Sequence, residues 1–261
     1  MTLMILLIVA ILLAGWVAFC GYRWSWGPFA SLHNLVTAKY PGNQPQYALS
    51  SVEKVSDSPL ENKRIVFLGS SVTYGSSSLG VSFADYICAR NGAIMAKEAL
   101  SGTTMADNGP MSYLSRLKRM DKNMDVDLFV CQVSTNDAWT KAPVGDFTGP
   151  EVSAYDTSTV IGGTEAILAY VWDTWGCPVV FYTSPRFESE KYDEIVAKLN
   201  VAAPLWRYAV IDMWNDKTFN QISERQRALY MADHAHPTQA GYRDWWTPYM
   251  EPVLIDKIQR K

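Results

Sequence analysis

The chain has no long run of like charge: 23 Lys and Arg stand against 26 Asp and Glu in 261 residues, a formal net charge of −3. That argues against a nucleic-acid partner, whose phosphates call for a clustered basic face. Cysteine is sparse too. Cys20, Cys88, Cys131 and Cys177 show no Cys-x-x-Cys spacing and no nearby histidine set, so they read as buried thiols rather than a disulfide framework or a metal site. Histidine is scarcer still: His33, His234 and His236 are the only three, which leaves few bases able to work near neutral pH. No internal repeat or low-complexity tract is present, and nothing calls for a cofactor.

The first 22 residues lack any charged side chain, and Leu, Ile, Val and Ala dominate them. About 20 apolar residues in helical geometry cross the hydrocarbon core of a bilayer. Trp16, Tyr22, Trp24 and Trp26, with Arg23, then supply an interfacial aromatic and cationic edge. The segment lacks the positive leader and the small-residue cleavage site of a secretory signal. Residues 1–22 therefore read as an uncleaved membrane anchor with the domain outside the cytoplasm; a cleaved signal with a secreted product is the alternative. Residues 23–62, rich in Pro, Gly, Ser, Asn and Gln without periodicity, read as a spacer packing loosely on the domain.

From residue 63 to 261 the pattern is that of a single α/β domain, and 48% hydrophobic residues are enough for a large core. Apolar runs predict strands at Arg64–Leu68, Ala93–Ala99, Asp127–Val133, Pro178–Tyr182 and Tyr208–Asp212. Helical spacing between them predicts helices at Val81–Arg90, Pro110–Met120, Ser158–Trp175 and Glu188–Asn200. A polar helix follows near Asp216–Tyr230, and a last one at Thr238–Ile258, broken near Pro248 and Pro252. Alternation of this kind means right-handed βαβ units and a five-stranded parallel sheet covered on both faces. In a flavodoxin-like strand order the ligand crevice opens between the C-terminal ends of strands one and three.

The loops expected at that crevice carry chemistry. Ser70 and Ser71 follow strand one, and a serine attacks only when a base takes its proton. His234 and His236 lie past strand five, with Asp233 three residues before His236, close enough to hold its other ring nitrogen. Gly102 and Asn136, each just past a strand end, could donate to a developing oxyanion. Each has a plainer reading as a turn or a cap. The His-x-His pair could also bind a metal, but only Asp233 is at hand as a further ligand. Trp139, three residues past Asn136, could line a substrate pocket or simply anchor its loop.

Four blocks carry a family resemblance. Gly69-Ser70-Ser71-Val72-Thr73 resembles the GDSL block of the SGNH hydrolases, with Ser70 where that block has Asp. Ser101-Gly102-Thr103 is similar to the glycine block, and Ser134-Thr135-Asn136-Asp137 to the Gly-x-Asn-Asp block, with Ser134 replacing glycine. Asp233-His234-Ala235-His236 matches the Asp-x-x-His block. The resemblance implies a three-layer α/β/α flavodoxin-like fold and metal-free, serine-dependent hydrolysis of a short-chain or O-acetyl ester. It implies Ser71 as nucleophile, His236 as base and Asp233 as its orienting acid. The Ser71 and Gly102 N–H groups and the Asn136 amide would form the oxyanion hole. Ser70 should alter loop support rather than chemistry, and Ser134 could narrow the pocket. The partner is a small-molecule, carbohydrate or lipid ester. Acyl transfer to a carbohydrate or cell-surface acceptor, or a silent glycan-binding or partner-binding domain, are the alternatives.

Overall fold

The computed structural model describes residues 2–24, 27–151 and 154–260. Five strands, β1 (Arg64–Gly69), β2 (Ile94–Ala99), β3 (Leu128–Gln132), β4 (Val179–Tyr182) and β5 (Ala209–Ile211), form one sheet in the order β2-β1-β3-β4-β5. Every pairing is parallel. Strand direction explains the run-on hydrophobicity of β1 and β3, since a parallel sheet covered on both faces has no polar side.

Successive side chains feed opposite layers. Val66, Leu68, Phe129, Cys131, Val179 and Phe181 enter one core. Ile65, Phe67, Leu128, Val130, Val180 and Tyr182 enter the other. Each such side chain, fully buried, contributes roughly 1.5–3 kcal/mol. The longer helices are α1 (Thr2–Trp24), α2 (Phe83–Asn91), α3 (Val160–Trp175), α4 (Glu190–Trp206) and α5 (Thr247–Gln259). Helices α3 and α4 cover the first core, and α2 and α5 cover the second. The result is an α/β/α sandwich. Its sheet order reverses between β1 and β3, so the loops after those strands lie side by side.

Helix ends follow local chemistry. A Ser82–Asp85 capping box starts α2, and Gly92, in the left-handed region at φ 68°, ends it. The Thr159 hydroxyl accepts from Gly162 N–H to start α3, and Gly176 at φ 58° stops it. Several elements depart from their sequence pattern. The helix expected over Pro110–Met120 is one short turn, Tyr113–Leu117. Helix α4 runs past Asn200 to Trp206, burying Ala202 and Trp206. The Asp216–Tyr230 stretch splits into Lys217–Asn220 and Glu224–Tyr230, because Ser223 caps a new helix through Gln226. The last helix is not broken at its prolines. Pro248 falls in the first turn of α5, where no N–H is required, and α5 continues through Pro252. A π-helical stretch, Tyr242–Trp246, precedes it and turns Tyr242, Trp245 and Trp246 into the core. All four cysteines are buried thiols; burial pushes that of Cys88 up to about 12.

Helix α1 includes a 19-residue stretch, Met4–Tyr22, with mean hydropathy 2.7 and only 11% of it buried, long and apolar enough to cross a membrane. Trp26, expected at the interfacial edge, lies outside the described residues, as do the side chains of Arg23 and Trp24.

The segment joining α1 to β1 does not pack loosely. It winds through short helical turns, and buried Asn43 bonds within the segment and to two distant parts of the chain. Its amide donates to Thr37 C=O and to Ser77 C=O, both at 2.7 Å, and its carbonyl accepts from Gln239 N–H at 2.8 Å. Gly42 next to it lies so close to Thr238 and Leu229 that any Cβ would overlap them. Asn43→Ala should lower the unfolding free energy by about 2–4 kcal/mol, because several buried groups lose a partner at once. Thermal unfolding of the full chain in detergent checks this, with an unchanged midpoint as the contrary result.

Candidate active site

Strand β1 ends where its backbone is most tightly enclosed. A Cβ on Gly69 would overlap the Thr73 side chain and reach 2.9 Å from Gln132 Oε1. Only glycine lets the chain turn back so closely on itself. The buried Gln132 carbonyl, at the end of β3, then accepts from Ser70 N–H at 2.8 Å, Ser70 Oγ–H at 3.1 Å and Thr73 Oγ1–H at 2.9 Å. Ser70 is thus spent on holding the loop. Ser71, the next residue, opens the short helix Ser71–Tyr74 and is 6% exposed.

His236 reaches Ser71 across the sheet's C-terminal edge, with Nε2 2.7 Å from Ser71 Oγ. Its loop is closed by Ala232 N–H donating to His236 C=O at 2.8 Å, and by an antiparallel bridge between Met231 and Pro237. Behind the ring, Nδ1 lies 3.0 and 2.9 Å from the two Asp233 carboxylate oxygens. Asp233 also accepts from Ala235 N–H and His236 N–H. Partial burial works against ionising this carboxyl, yet the His236 hydrogen bond and charge and the two backbone donors outweigh it. Asp233 is therefore held well below the usual carboxylate range. An ionised Asp233 draws the imidazole proton to Nδ1 and leaves Nε2 to accept from the Ser71 hydroxyl.

Gly102 and Asn136 line the same cavity, of about 250 Å³, as Ser71, Asp233 and His236. Gly102 has φ 78°, and a Cβ there would meet nothing, so the need for glycine is conformational rather than steric. The Asn136 amide donates to Thr103 C=O at 2.8 Å, which uses one of its two protons. Ser134 does not narrow the pocket. It is fully buried, its hydroxyl donating to Thr103 C=O at 3.0 Å and accepting from Asn136 N–H at 3.1 Å. Trp139 is not among the residues lining this cavity. It stands 63% exposed, stacked on Phe187 and edge-on to His234.

Two supports had no role assigned from the sequence: Arg116, and Asp137, which was named only as the last residue of its block. Arg116, 2% exposed, donates to Gly69 C=O at 2.8 Å and Thr103 Oγ1 at 3.1 Å, tying the loops after β1 and β2 together. Asp137, fully buried, accepts from Met105 N–H at 2.7 Å and Ala106 N–H at 3.2 Å. Two cavity walls escaped it as well: His33 and Tyr40, from the segment before β1. That His33 is one of only three histidines was the signal available. Ser76, Ser77 and Ser101 complete a predominantly polar wall. Among the described residues no group of three or more His, Cys, Asp or Glu side chains is arranged to hold a metal.

Residues 67–243, more than half of the chain, match the family model of the GDSL-like lipase/acylhydrolase family. No curated protein matches. A Lactobacillus plantarum protein of known structure has TM-score 0.63 and 18% identity, covering 75% of this chain and 98% of its own. An acetyl xylan esterase variant from Geobacillus stearothermophilus has TM-score 0.52 and 14% identity, with 76% and 95% covered. A carbohydrate esterase family 2 enzyme with a carbohydrate-binding domain, from Corynascus thermopiles, has TM-score 0.52 and 16% identity, with 78% and 69% covered. At these identities the likeness is one of fold.

Burial is the main cause that pushes the Asp137 carboxyl up to about 6, against the Met105 and Ala106 N–H bonds and the Lys191 charge. The folded state therefore holds this proton more tightly than the unfolded chain does. Its contribution to stability should fall as pH rises from about 4 to about 6, by on the order of 2–3 kcal/mol, and level off above. The difference between wild type and Asp137→Asn, followed by denaturation at pH 4, 5, 6 and 7, reads this slope directly. A pH-independent difference would contradict it.

Proposed function

The chain belongs to the GDSL-like lipase/acylhydrolase family of hydrolases, and from that membership we propose that it cleaves a short acyl ester of a polar alcohol through an acyl-enzyme on Ser71. The observation that carries this reading is the 2.7 Å contact between Ser71 Oγ and His236 Nε2, with Asp233 behind the ring.

Ser71 Oγ attacks the ester carbonyl carbon while His236 Nε2 takes its proton. Asp233 fixes the tautomer and stabilises the imidazolium that forms. The carbonyl oxygen becomes an oxyanion and takes hydrogen bonds from Ser71 N–H, Gly102 N–H and the second amide proton of Asn136. Collapse breaks the bond to the alcohol oxygen, which leaves with the proton from His236. Water then attacks the acyl-serine with His236 again as base, releasing the acid and restoring Ser71.

The cavity's small volume and hydroxyl-rich wall suit an acetyl-sized acyl group and a hydroxylated alcohol better than a long aliphatic chain. The acetyl xylan esterase among its fold neighbours fits the same class. Trp139, exposed outside the cavity, offers an apolar face to portions of a substrate that extend beyond it. We read residues 1–22 as an uncleaved anchor with the domain outside the cytoplasm; what supports the membrane part of this reading is a helix long and apolar enough to span a bilayer.

Hydrolysis of p-nitrophenyl acetate by the full chain should be detectable and should vanish in Ser71→Ala and in His236→Ala, with both variants melting near the wild-type temperature. Wild-type-like turnover in either would sink the triad. Asn136→Ala should cost roughly a hundredfold in kcat with little change in KM, as loss of an oxyanion donor does. A loss confined to KM would assign Asn136 to binding instead.

A further inference from the structure

His33 occupies an unusual position. It lines the cavity that holds Ser71 and His236, and its Nδ1–H donates to Tyr22 C=O at 2.8 Å. Tyr22 is the last residue of the apolar stretch Met4–Tyr22. One imidazole therefore spans the distance between the candidate site and the end of the helix that fits a bilayer. The fastening has a second point, since Gly21 packs so closely on Phe29 that a Cβ there would overlap the Phe29 backbone. Tyr40 lines the same cavity, three residues before Asn43, which is itself bonded to the Ser77 carbonyl. With Nδ1 engaged, a neutral His33 keeps Nε2 as an acceptor.

We infer that the segment before β1 is a working part of the active site: His33 and Tyr40 contact the alcohol portion of the ester, and His33 sets the site at the bilayer surface. The substrate is then an acyl ester on a polar headgroup held at the membrane interface. This rests on the hydrolase reading and goes further by naming where the substrate resides. Such contacts form in the ground state and the transition state alike, so their loss raises KM more than it lowers kcat.

The test uses the full chain in phosphatidylcholine vesicles, with one acetylated sugar supplied both free in solution and attached to a lipid tail. Wild type should turn over the lipid-borne ester with kcat/KM at least about tenfold above the free one. His33→Ala should raise KM for the lipid-borne ester about five- to tenfold with kcat within about twofold, the effect of one lost hydrogen bond to a neutral ligand. His33→Gln, which can still donate to Tyr22 C=O, should recover part of that loss. Tyr40→Phe, which removes only a hydroxyl, should raise KM in the same direction. Equal use of the two esters, unchanged KM in the variants, or an intact mass showing that residues 1–22 have been removed would each overturn the inference. Ser71-dependent cleavage of p-nitrophenyl acetate separates the two levels. If it is present alongside those results, only this inference fails; if wild type lacks it, the hydrolase reading fails as well.

Discussion

The absence of a side chain at Gly69 is the constraint on which the rest of the site depends. Because the backbone can close onto Thr73 there, a single carbonyl, that of Gln132, collects donors from Ser70 and Thr73. Strands β1 and β3 are thereby locked together at their C-terminal ends as well as along their ladder. Arg116 ties the loop after β2 to the same point through Gly69 C=O. Thr103 C=O in turn receives Ser134 and Asn136 from the loop after β3. Three loops from three strands thus form one hydrogen-bonded assembly in a largely dry setting, where unmatched polar groups would be costly. Holding donors in place beforehand is what electrostatic catalysis requires.

The central strands β1, β3 and β4 were legible because they are buried on both faces, and runs such as Ile65–Leu68 and Phe129–Cys131 have no competing helical period. Helix stops were legible at glycine C-caps, as at Gly92 and Gly176, whereas the Ser223 cap inside a polar stretch was passed over. The reading failed where tertiary packing overrode local preference. Trp206 draws α4 past Pro204 into the core, and Tyr242, Trp245 and Trp246 hold a helix across a stretch with two prolines. Ser134 misled for a related reason. A residue type indicates how much space a side chain takes but not which way it turns, and this hydroxyl points into the protein as a cap.

At the site, the order of the four blocks along the chain placed Ser71, Gly102, Asn136 and His236 on one edge of the sheet. What the order could not convey was contact with residues 27–62, which have neither period nor motif. Asn43 and His33 reach other segments through single side chains, and nothing in the sequence near them marks that. Arg116 escaped notice because a lone charged residue ordinarily reads as solvated surface, and Asp137 was named only as part of its block, which does not say what its carboxylate holds.

Asn43 has a consequence for the order of events during synthesis. Its partners Ser77 and Gln239 lie 34 and 196 residues further along the chain. Helix α1 is made before the domain, whereas the loop carrying His236 follows all five strands. Until that stretch arrives, Asn43 lacks its Gln239 bond and Ser71 lacks its contact with His236. The contact between Ser71 and His236 therefore forms only after the stretch beyond β5 has docked against loops made much earlier.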